Sequence, residues 1–309
     1  MTVQKRGKSK AGVWVFLLAL LFIAGVAGAQ WLPPRLAAVH SPQSGQTRKA
    51  DTILYSADAI LIRLSDRDVL LEKQADERIF PASLTKMMTV LVAIEHLENL
   101  RKPVVMQKEW YDELLAADAS MAGFLPGEQV TVKDLLYGSL LASGAECCAA
   151  LAVTACGSQS AFVNEMNRKA KQLGMKQTHF TNPTGLHHDE HYSTVRDFSR
   201  LLCEALQNKT FREIFTSKRF VIQPTNRHPQ GITLNSSLFS KLSSSSVQGG
   251  QILGGKTGYT EKAGLCLATL SVINGNEYIL ITAGAPGDHK SEQYHILDAF
   301  TVYNTCVKS

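Results

Sequence analysis

The chain has 309 residues, of which 45% are hydrophobic and 19% are charged, so it is neither a disordered nor a fibrous protein. The formal net charge is +5, and Lys5, Arg6, Lys8 and Lys10 place four positive charges among the first ten residues. The rest of the chain is close to neutral and has no clustered basic face, which excludes a nucleic-acid partner.

An apolar segment follows the basic residues 1–10, which are predicted to stay in the cytoplasm. Residues 11–32 carry no charge and are long enough to span a bilayer, which favours a retained transmembrane anchor. A small-residue triplet at 27–29 is similar to a cleavage site, so a removed signal peptide is the alternative. In both cases the positive-inside rule places the chain beyond residue 35 outside the cytoplasm.

Polar residues 33–50 are predicted to form a tether, and the folded domain is predicted to occupy 51–309. A β-rich pattern over 59–71 predicts a hairpin near the start of the domain. A second hairpin is predicted over 264–285, where an Asn-Gly turn joins two apolar runs. These strands lie near opposite ends of the domain, which indicates one antiparallel sheet assembled from both chain ends.

Helical periodicity fills most of the sequence between the strands, and one more helix is predicted after them. The candidates are 83–98, 107–118, 131–142, 145–155, 158–173, 194–207 and 291–305. We therefore expect an α/β protein of the α+β type, with a mostly helical lobe over roughly 100–225. The low-complexity stretch 241–250 is expected to be a flexible approach to the late strands.

The stretch PASLTKMMTV (81–90) places Ser83 and Lys86 one helical turn apart. Three residues rotate a helix by about 300° and rise by about 4.5 Å, so the two side chains can touch. The helix is apolar nearly all round, and a lysine held against apolar walls can lose its proton and act as a base for a serine nucleophile. The spacing alone leaves an alternative, in which this is an ordinary helix start and the lysine reaches solvent.

Two further motifs favour the catalytic interpretation. Lys256-Thr257-Gly258 precedes the late hairpin and would offer an ammonium and a hydroxyl to a carboxylate, with the glycine admitting a substrate backbone. Ser143 falls between two predicted helices, on a tight turn from which its side chain could point into a cleft.

With these motifs, the chain from about 51 to 309 resembles the penicillin-binding D-alanyl-D-alanine carboxypeptidases of the serine S-x-x-K type. LPGEQVTVKDLLYGSLLASG (125–144) and HFTNPTGLHHDEHYSTVRD (179–197) are also similar to that family. The resemblance implies a β-lactamase/DD-peptidase-like transpeptidase fold, with no cofactor and no metal ion. It also implies the peptidoglycan stem pentapeptide as substrate and β-lactam antibiotics as inhibitors.

The same resemblance implies a role for each motif residue. Ser83 would be the acylated nucleophile, Lys86 its base, and Ser143 the relay of protons to the leaving D-alanine. Lys256 and Thr257 would hold the terminal carboxylate of the peptide, and Gly258 would let the substrate backbone come close. The backbone N–H groups of Ser83 and Tyr259 would form the oxyanion hole.

The second motif departs from the family pattern. The family usually has Ser-x-Asn, whereas this chain has Ser143-Gly144-Ala145, so the expected amide is missing. Glu146 could compensate, although an acidic residue in the first turn of a helix is the more ordinary interpretation. The change bears on release of the acyl group more than on its formation.

The histidines and cysteines of the chain, which are possible metal ligands, are expected to have structural roles. A polar turn accounts for the closely spaced His187, His188, Asp189 and His191 without a zinc site, because their spacing matches no usual zinc pattern. Six cysteines mostly have apolar neighbours and are expected to be buried, with one disulfide possible: Cys147, Cys148, Cys156, Cys203, Cys266 and Cys306.

Two alternatives to a carboxypeptidase remain. A β-lactamase would share the reactive residues, but the Ser-Asp-Asn triplet and the E-x-x-L-N stretch are missing from this sequence. A catalytically weak penicillin-binding or scaffold protein is favoured by Ala145 alone. The additional C-terminal β domain and membrane-binding helix of many relatives are expected to be absent, which leaves the N-terminal segment as the candidate anchor.

Overall fold

The computed structural model describes residues 48–49 and 53–307. The predicted basic segment, the membrane segment and nearly all of the tether lie outside the described residues. Among the described residues no single helix is long and apolar enough to cross a bilayer, and one helix pair reaches the required length and hydropathy only together, bent by 86°.

The central element is a seven-stranded sheet built from both ends of the domain, as predicted. Its strands, in spatial order, are β1 (Arg48–Lys49), β3 (Val69–Lys73), β2 (Asp58–Arg63), β11 (Asn276–Ala285), β10 (Gly264–Ile273), β9 (Gly250–Thr260) and β8 (Ser246–Val247). All pairs are antiparallel except β1–β3, which is parallel.

Both predicted hairpins are confirmed. The pair β2–β3 forms the first, and β10–β11 forms the second, with Asn274 and Gly275 at its turn. These two residues have φ values of 49° and 77°, which is the left-handed backbone that a two-residue turn between twisted strands requires.

Eight helices are present among the described residues: α1 (Thr85–His96), α2 (Asp112–Ala116), α3 (Val132–Leu140), α4 (Ala145–Cys156), α5 (Gln159–Gln172), α6 (Val195–Ala205), α7 (Lys209–Thr216) and α8 (Tyr294–Cys306). Side-chain caps fix several starts, since Thr131, Ser158, Thr194 and Asn208 each accept an N–H bond from the first turn. Six of the seven predicted helices are confirmed to within a few residues.

The structure corrects the sequence interpretation in four places. The helix predicted over 107–118 is broken into a 3-10 turn at Lys108–Trp110 and the short α2. Helix α7 was not predicted, nor were the two-stranded pairs β4 (Pro103–Val105) with β5 (Gln129–Thr131) and β6 (Arg219–Ile222) with β7 (Ile232–Asn235). The fourth is the stretch 241–250, which contains strand β8 and the start of β9. The carbonyl of Ser245 accepts from the N–H of Ile252 and Ser246 pairs with Gln251, contacts that a composition argument does not detect.

The sheet separates two hydrophobic cores. On β2, Ile60 and Ile62 face the larger core with α1 and α6, whereas Leu61 between them faces the smaller core with α8. Residues 279–281 of β11 alternate in the same way. Because the sheet is covered on both faces, some polar side chains are also shielded from water, among them Lys86 and Lys256.

Candidate active site

Ser83 and Lys86 lie at the start of the buried helix α1. Ser83 belongs to a 3-10 turn, Ala82–Leu84, that runs directly into the helix, and Lys86 Nζ donates to Ser83 Oγ at 2.9 Å. The lysine side chain is buried rather than solvent-facing. Of the two interpretations left open by the spacing, the geometry favours a serine with an adjacent amine.

Burial lowers the pKa of Lys86, and the nearby Cys148 and Glu146 oppose that shift. A lysine with a lowered pKa spends more time as the neutral amine near neutral pH. Only the neutral amine can accept the proton of a serine hydroxyl, so the environment of Lys86 suits the role of a base.

Ser143 lies on the turn between α3 and α4. Its φ of 63° is left-handed, a conformation that costs a non-glycine residue of the order of 1–3 kcal/mol and is concentrated at functional sites. The turn brings Ser143 Oγ within 3.0 Å of Ser83 Oγ, to which it donates. Ser143 therefore joins the site from the helical lobe.

Lys256 lies on β9 and is completely buried. Its ammonium donates to Ser143 Oγ at 3.0 Å and to the carbonyl oxygen of Thr257 at 2.7 Å. Burial, followed by the charge of Lys86, lowers the pKa of Lys256 well below its usual range. We call the hydrogen-bonded series Lys86, Ser83, Ser143 and Lys256 the lysine–serine chain.

A loop at 181–186, which the sequence analysis assigned to the family but to no role, holds the other side of Lys86. Lys86 Nζ donates to the carbonyl oxygen of Thr184 at 2.7 Å. Asn182 Oδ1 accepts from the N–H groups of Thr184 and Gly185, at 3.1 and 2.8 Å, and so fixes that carbonyl. The Asn-Pro-Thr-Gly sequence is a turn signal that marks this loop, but it does not reveal the contact with a lysine 98 residues away.

Two glycines allow the backbone at Ser83 to be approached closely. A Cβ on Gly185, whose φ is 82°, would lie 1.9 Å from the carbonyl oxygen of Ala82. A Cβ on Gly258 would lie 3.1 Å from the backbone nitrogen of Ser83. The loop and strand β9 therefore pack directly against the turn that carries the serine.

Ala145 and Glu146 form the corner where the family amide is missing. Ala145 is buried, and its N–H donates to the carbonyl oxygen of Ser120 at 2.8 Å. Glu146 Oε1 accepts from the N–H groups of Ala122 and Gly123, at 2.7 and 3.0 Å, while Oε2 has no hydrogen-bond partner. Glu146 thus ties the 120–123 loop to α4, and the acceptor for Lys86 is Thr184 instead.

Two cavities meet at Ser83. The small cavity has a volume of about 100 Å³ and is lined by Ser143, Ser237, Lys241, Thr257 and His295 among others. The large cavity has a volume of about 600 Å³ and is lined in part by Lys86, Ala145 and Thr184. Four residues line both: Ser83, Ser120, Tyr259 and His289. Lys256 is not among the residues that line either cavity, so its ammonium stands behind Ser143.

The histidines of the 187–191 loop do not converge on one point. Among the residues that the structure describes, no group of three or more His, Cys, Asp and Glu side chains could hold a metal ion. His191 is buried, with Nε2 2.8 Å from Thr85 Oγ1, and its Nδ1 accepts from the N–H of Thr181 at 3.1 Å. Burial lowers the pKa of His191 to about 3, so it is a neutral packing residue.

The cysteines near the site are buried thiols, as expected. Cys147 and Cys148 on α4 and Cys266 on β10 are buried and form no disulfide, and neither do Cys156 and Cys203. Burial raises the pKa of Cys148 and raises that of Cys266 to about 12, so these thiols are not nucleophiles near neutral pH.

Comparisons with known proteins find D-alanyl-D-alanine peptidases. The chain is 33% identical over 276 residues to the D-alanyl-D-alanine carboxypeptidase DacF of Bacillus subtilis, which covers 84% of this chain and 65% of that relative. The chain is 30% identical over 246 residues to a D-alanyl-D-alanine endopeptidase of Pseudomonas aeruginosa, covering 80% and 75%.

Solved structures show the same fold. The crystal structure of the Streptomyces K15 DD-transpeptidase superposes with a TM-score of 0.73 and 28% identity, covering 82% of this chain and 97% of that one. The expected transpeptidase-type fold is therefore confirmed. A sequence model of the peptidase S11 family, described as D-alanyl-D-alanine carboxypeptidase, matches residues 45–287. The chain belongs to the peptidase S11 family of serine D-alanyl-D-alanine carboxypeptidases.

Proposed function

We propose that this protein is an exported serine D-Ala-D-Ala carboxypeptidase that removes the terminal D-alanine from peptidoglycan stem peptides. The lysine–serine chain is the observation that carries the proposal. It places a serine hydroxyl between a desolvated amine and a second hydroxyl, with distances of 2.9 and 3.0 Å between the heavy atoms.

In the acylation step Ser83 Oγ attacks the carbonyl carbon of the penultimate D-alanine, and its proton moves to Lys86 Nζ. The N–H groups of Ser83 and Tyr259 stabilise the resulting oxyanion. The C–N bond then breaks, and the leaving amine takes a proton through Ser143, whose hydroxyl bridges Ser83 and Lys256.

In the deacylation step a water molecule attacks the Ser83 ester, which releases the shortened peptide and restores the serine hydroxyl. Thr257 contributes a hydroxyl to the small cavity, where its Oγ1 lies 2.8 Å from Ser237 Oγ. Lys256 does not line the cavity and acts through its hydrogen bond to Ser143. Gly258 leaves room for the substrate backbone beside Ser83.

A β-lactam reacts at the same serine in this proposal. Its ring C–N bond opens, but the amine remains attached to the acyl group and cannot diffuse away, so the ester persists. The basic N-terminus and the apolar segment after it support activity on the extracytoplasmic face of the membrane, with that segment as anchor or signal peptide.

Release of D-alanine from a D-Ala-D-Ala peptide and labelling by a fluorescent penicillin test the proposal together. We expect both in the wild-type protein and neither in Ser83→Ala, whereas Ser65→Ala, an exposed serine on the β2–β3 turn, keeps both. Labelling without turnover would favour the weak penicillin-binding or scaffold function that Ala145 suggests. Neither labelling nor release in the wild type would refute the assignment.

A further inference from the structure

The small cavity has a polar wall that none of the three motifs supplies. Lys241 ends the 3-10 turn Phe239–Lys241, His289 lies between β11 and α8, and His295 is in the first turn of α8. All three line the cavity together with the hydroxyls of Ser237 and Thr257.

His295 is completely buried, and neither of its ring nitrogens has a hydrogen-bond partner in the protein. Buried polar side chains in native proteins nearly always have a partner. Because this ring lines the small cavity, a polar group bound in that cavity is a candidate partner for it.

Lys241 is the cation that faces this space. It is half-buried, and its Nζ donates to Gln293 Oε1 at 2.7 Å, which leaves further N–H groups for a ligand. Burial, and after it the charge of Lys241, lowers the pKa of both His289 and His295, and burial lowers the pKa of Lys241 itself. Lys256, by contrast, is directed at Ser143.

The chemistry of the wall selects a small anion. No Asp or Glu is among the described residues that line the small cavity. A volume of about 100 Å³ corresponds to roughly three water molecules, which is enough for a group of the size of a carboxylate. Relatives of this chain include both carboxypeptidases and endopeptidases.

We propose that Lys241 and His295, together with Thr257, bind the terminal carboxylate of the leaving residue and restrict this protein to peptides that end there. A peptide that continues past the leaving residue would bring a neutral amide, in place of the carboxylate, to the ammonium of Lys241 and the imidazole of His295. This inference rests on the proposed function and names the residues that make the protein a carboxypeptidase rather than an endopeptidase.

The test uses two peptides that differ in one group, an N-acylated peptide ending in D-Ala-D-Ala with a free carboxylate and the same peptide with a C-terminal carboxamide. The measured quantity is the ratio of kcat/KM for the two peptides. We expect Lys241→Gln to lower the preference for the free acid by about tenfold or more, since one charge-assisted hydrogen bond to the carboxylate is lost. Most of the loss is expected in KM.

Three further variants keep the test decisive. Lys241→Arg retains the positive charge and should keep the preference for the free acid. His295→Asn should weaken that preference. Lys176→Gln removes an equal charge from an exposed position and should leave the ratio unchanged. Thermal melting of each variant separates loss of preference from loss of folding.

The outcomes distinguish this inference from the proposed function. If the wild type cleaves neither peptide and is not labelled by penicillin, the proposed function fails and the inference fails with it. If the wild type cleaves the free acid but shows no preference over the amide, or if folded Lys241→Gln keeps the full preference, the inference alone is overturned.

Discussion

The two polar regions that meet at Ser83 differ in how far their own side chains satisfy one another. In the lysine–serine chain each lysine Nζ and each serine hydroxyl has a hydrogen-bond partner at 2.7 to 3.0 Å. In the small cavity beside it, the buried ring of His295 has none. A network in which every polar group has a hydrogen-bond partner holds its geometry without substrate. A cavity wall with an unpartnered polar group gains that hydrogen bond from the molecule that binds to it. This difference fits the two proposals, in which the first region performs the chemistry and the second selects the substrate.

The largest effect that separates the two regions is expected on the acylation rate, when the proton-accepting lysine of the lysine–serine chain is removed. Lys86→Gln removes the only amine within reach of Ser83 Oγ among the described residues, so acylation should fall by roughly 10³-fold or more. The rate of labelling by fluorescent penicillin measures the effect. Lys171→Gln, at an exposed position on α5, is the matched control. A labelling rate within about tenfold of the wild type would show that another group deprotonates the serine.

The next effect concerns the backbone that holds the serine. Gly185→Ala would put a Cβ 1.9 Å from the carbonyl oxygen of Ala82 and should cost ~3 kcal/mol or more of unfolding free energy, with displacement of Ser83.

Gly174→Ala is a matched control for that clash. Gly174 also has a left-handed φ, of 69°, but no atom lies within 4 Å of its built Cβ, so only the backbone cost of ~1–2 kcal/mol applies. Chemical denaturation of both variants gives the difference. Equal losses would mean that the contact between the loop and the Ser83 turn does not constrain the site.

A smaller effect is expected in the pH dependence. The carboxylate of Glu146 favours the charged form of Lys86, so Glu146→Gln should lower the pKa of Lys86 further. Acylation requires the neutral amine, and its rate rises as pH passes the pKa of Lys86. The midpoint of the acylation profile should therefore move to lower pH in Glu146→Gln and stay in place in the exposed control Glu98→Gln. A shift to higher pH would contradict the sign of this coupling.

The smallest effect on acylation is expected from Ala145→Asn, which restores the family residue. Thr184 already supplies an acceptor to Lys86 at 2.7 Å, so labelling should change by less than about tenfold. The new amide would line the large cavity near the ester, and the lifetime of the acyl-enzyme should change. Labelling stopped at a series of times gives the acylation rate, and loss of the label during a chase gives the lifetime of the acyl-enzyme. No change in either would show that the alanine is neutral in this protein.

The residues differ in how far the sequence could predict them. Helical spacing alone brings Ser83 and Lys86 together, and a tight turn between helices accounts for Ser143. The sequence also located Lys256 but could not show that its ammonium faces Ser143, because that contact joins residues 113 positions apart. Thr184 was missed for the same reason, since its backbone carbonyl is the functional group.

Lys241 and His295 were missed for different reasons. Lys241 opens a serine-rich stretch whose composition indicated a flexible segment. The later residues of that stretch pair in β8 and β9, and this pairing depends on contacts with the rest of the sheet. His295 lies in a helix with the pattern of a core element, where a buried histidine is ordinarily a packing residue. Only the structure shows that its ring has no partner.

The most direct test of the account is to locate the covalent adduct. The purified protein is incubated with a penicillin, digested and mapped by mass spectrometry, in parallel with an assay of D-alanine release. The account predicts one acyl adduct, on the peptide that carries Ser83, and its loss in Ser83→Ala together with D-alanine release. An adduct on Ser143 or on any other residue, or D-alanine release that persists in Ser83→Ala, would contradict it.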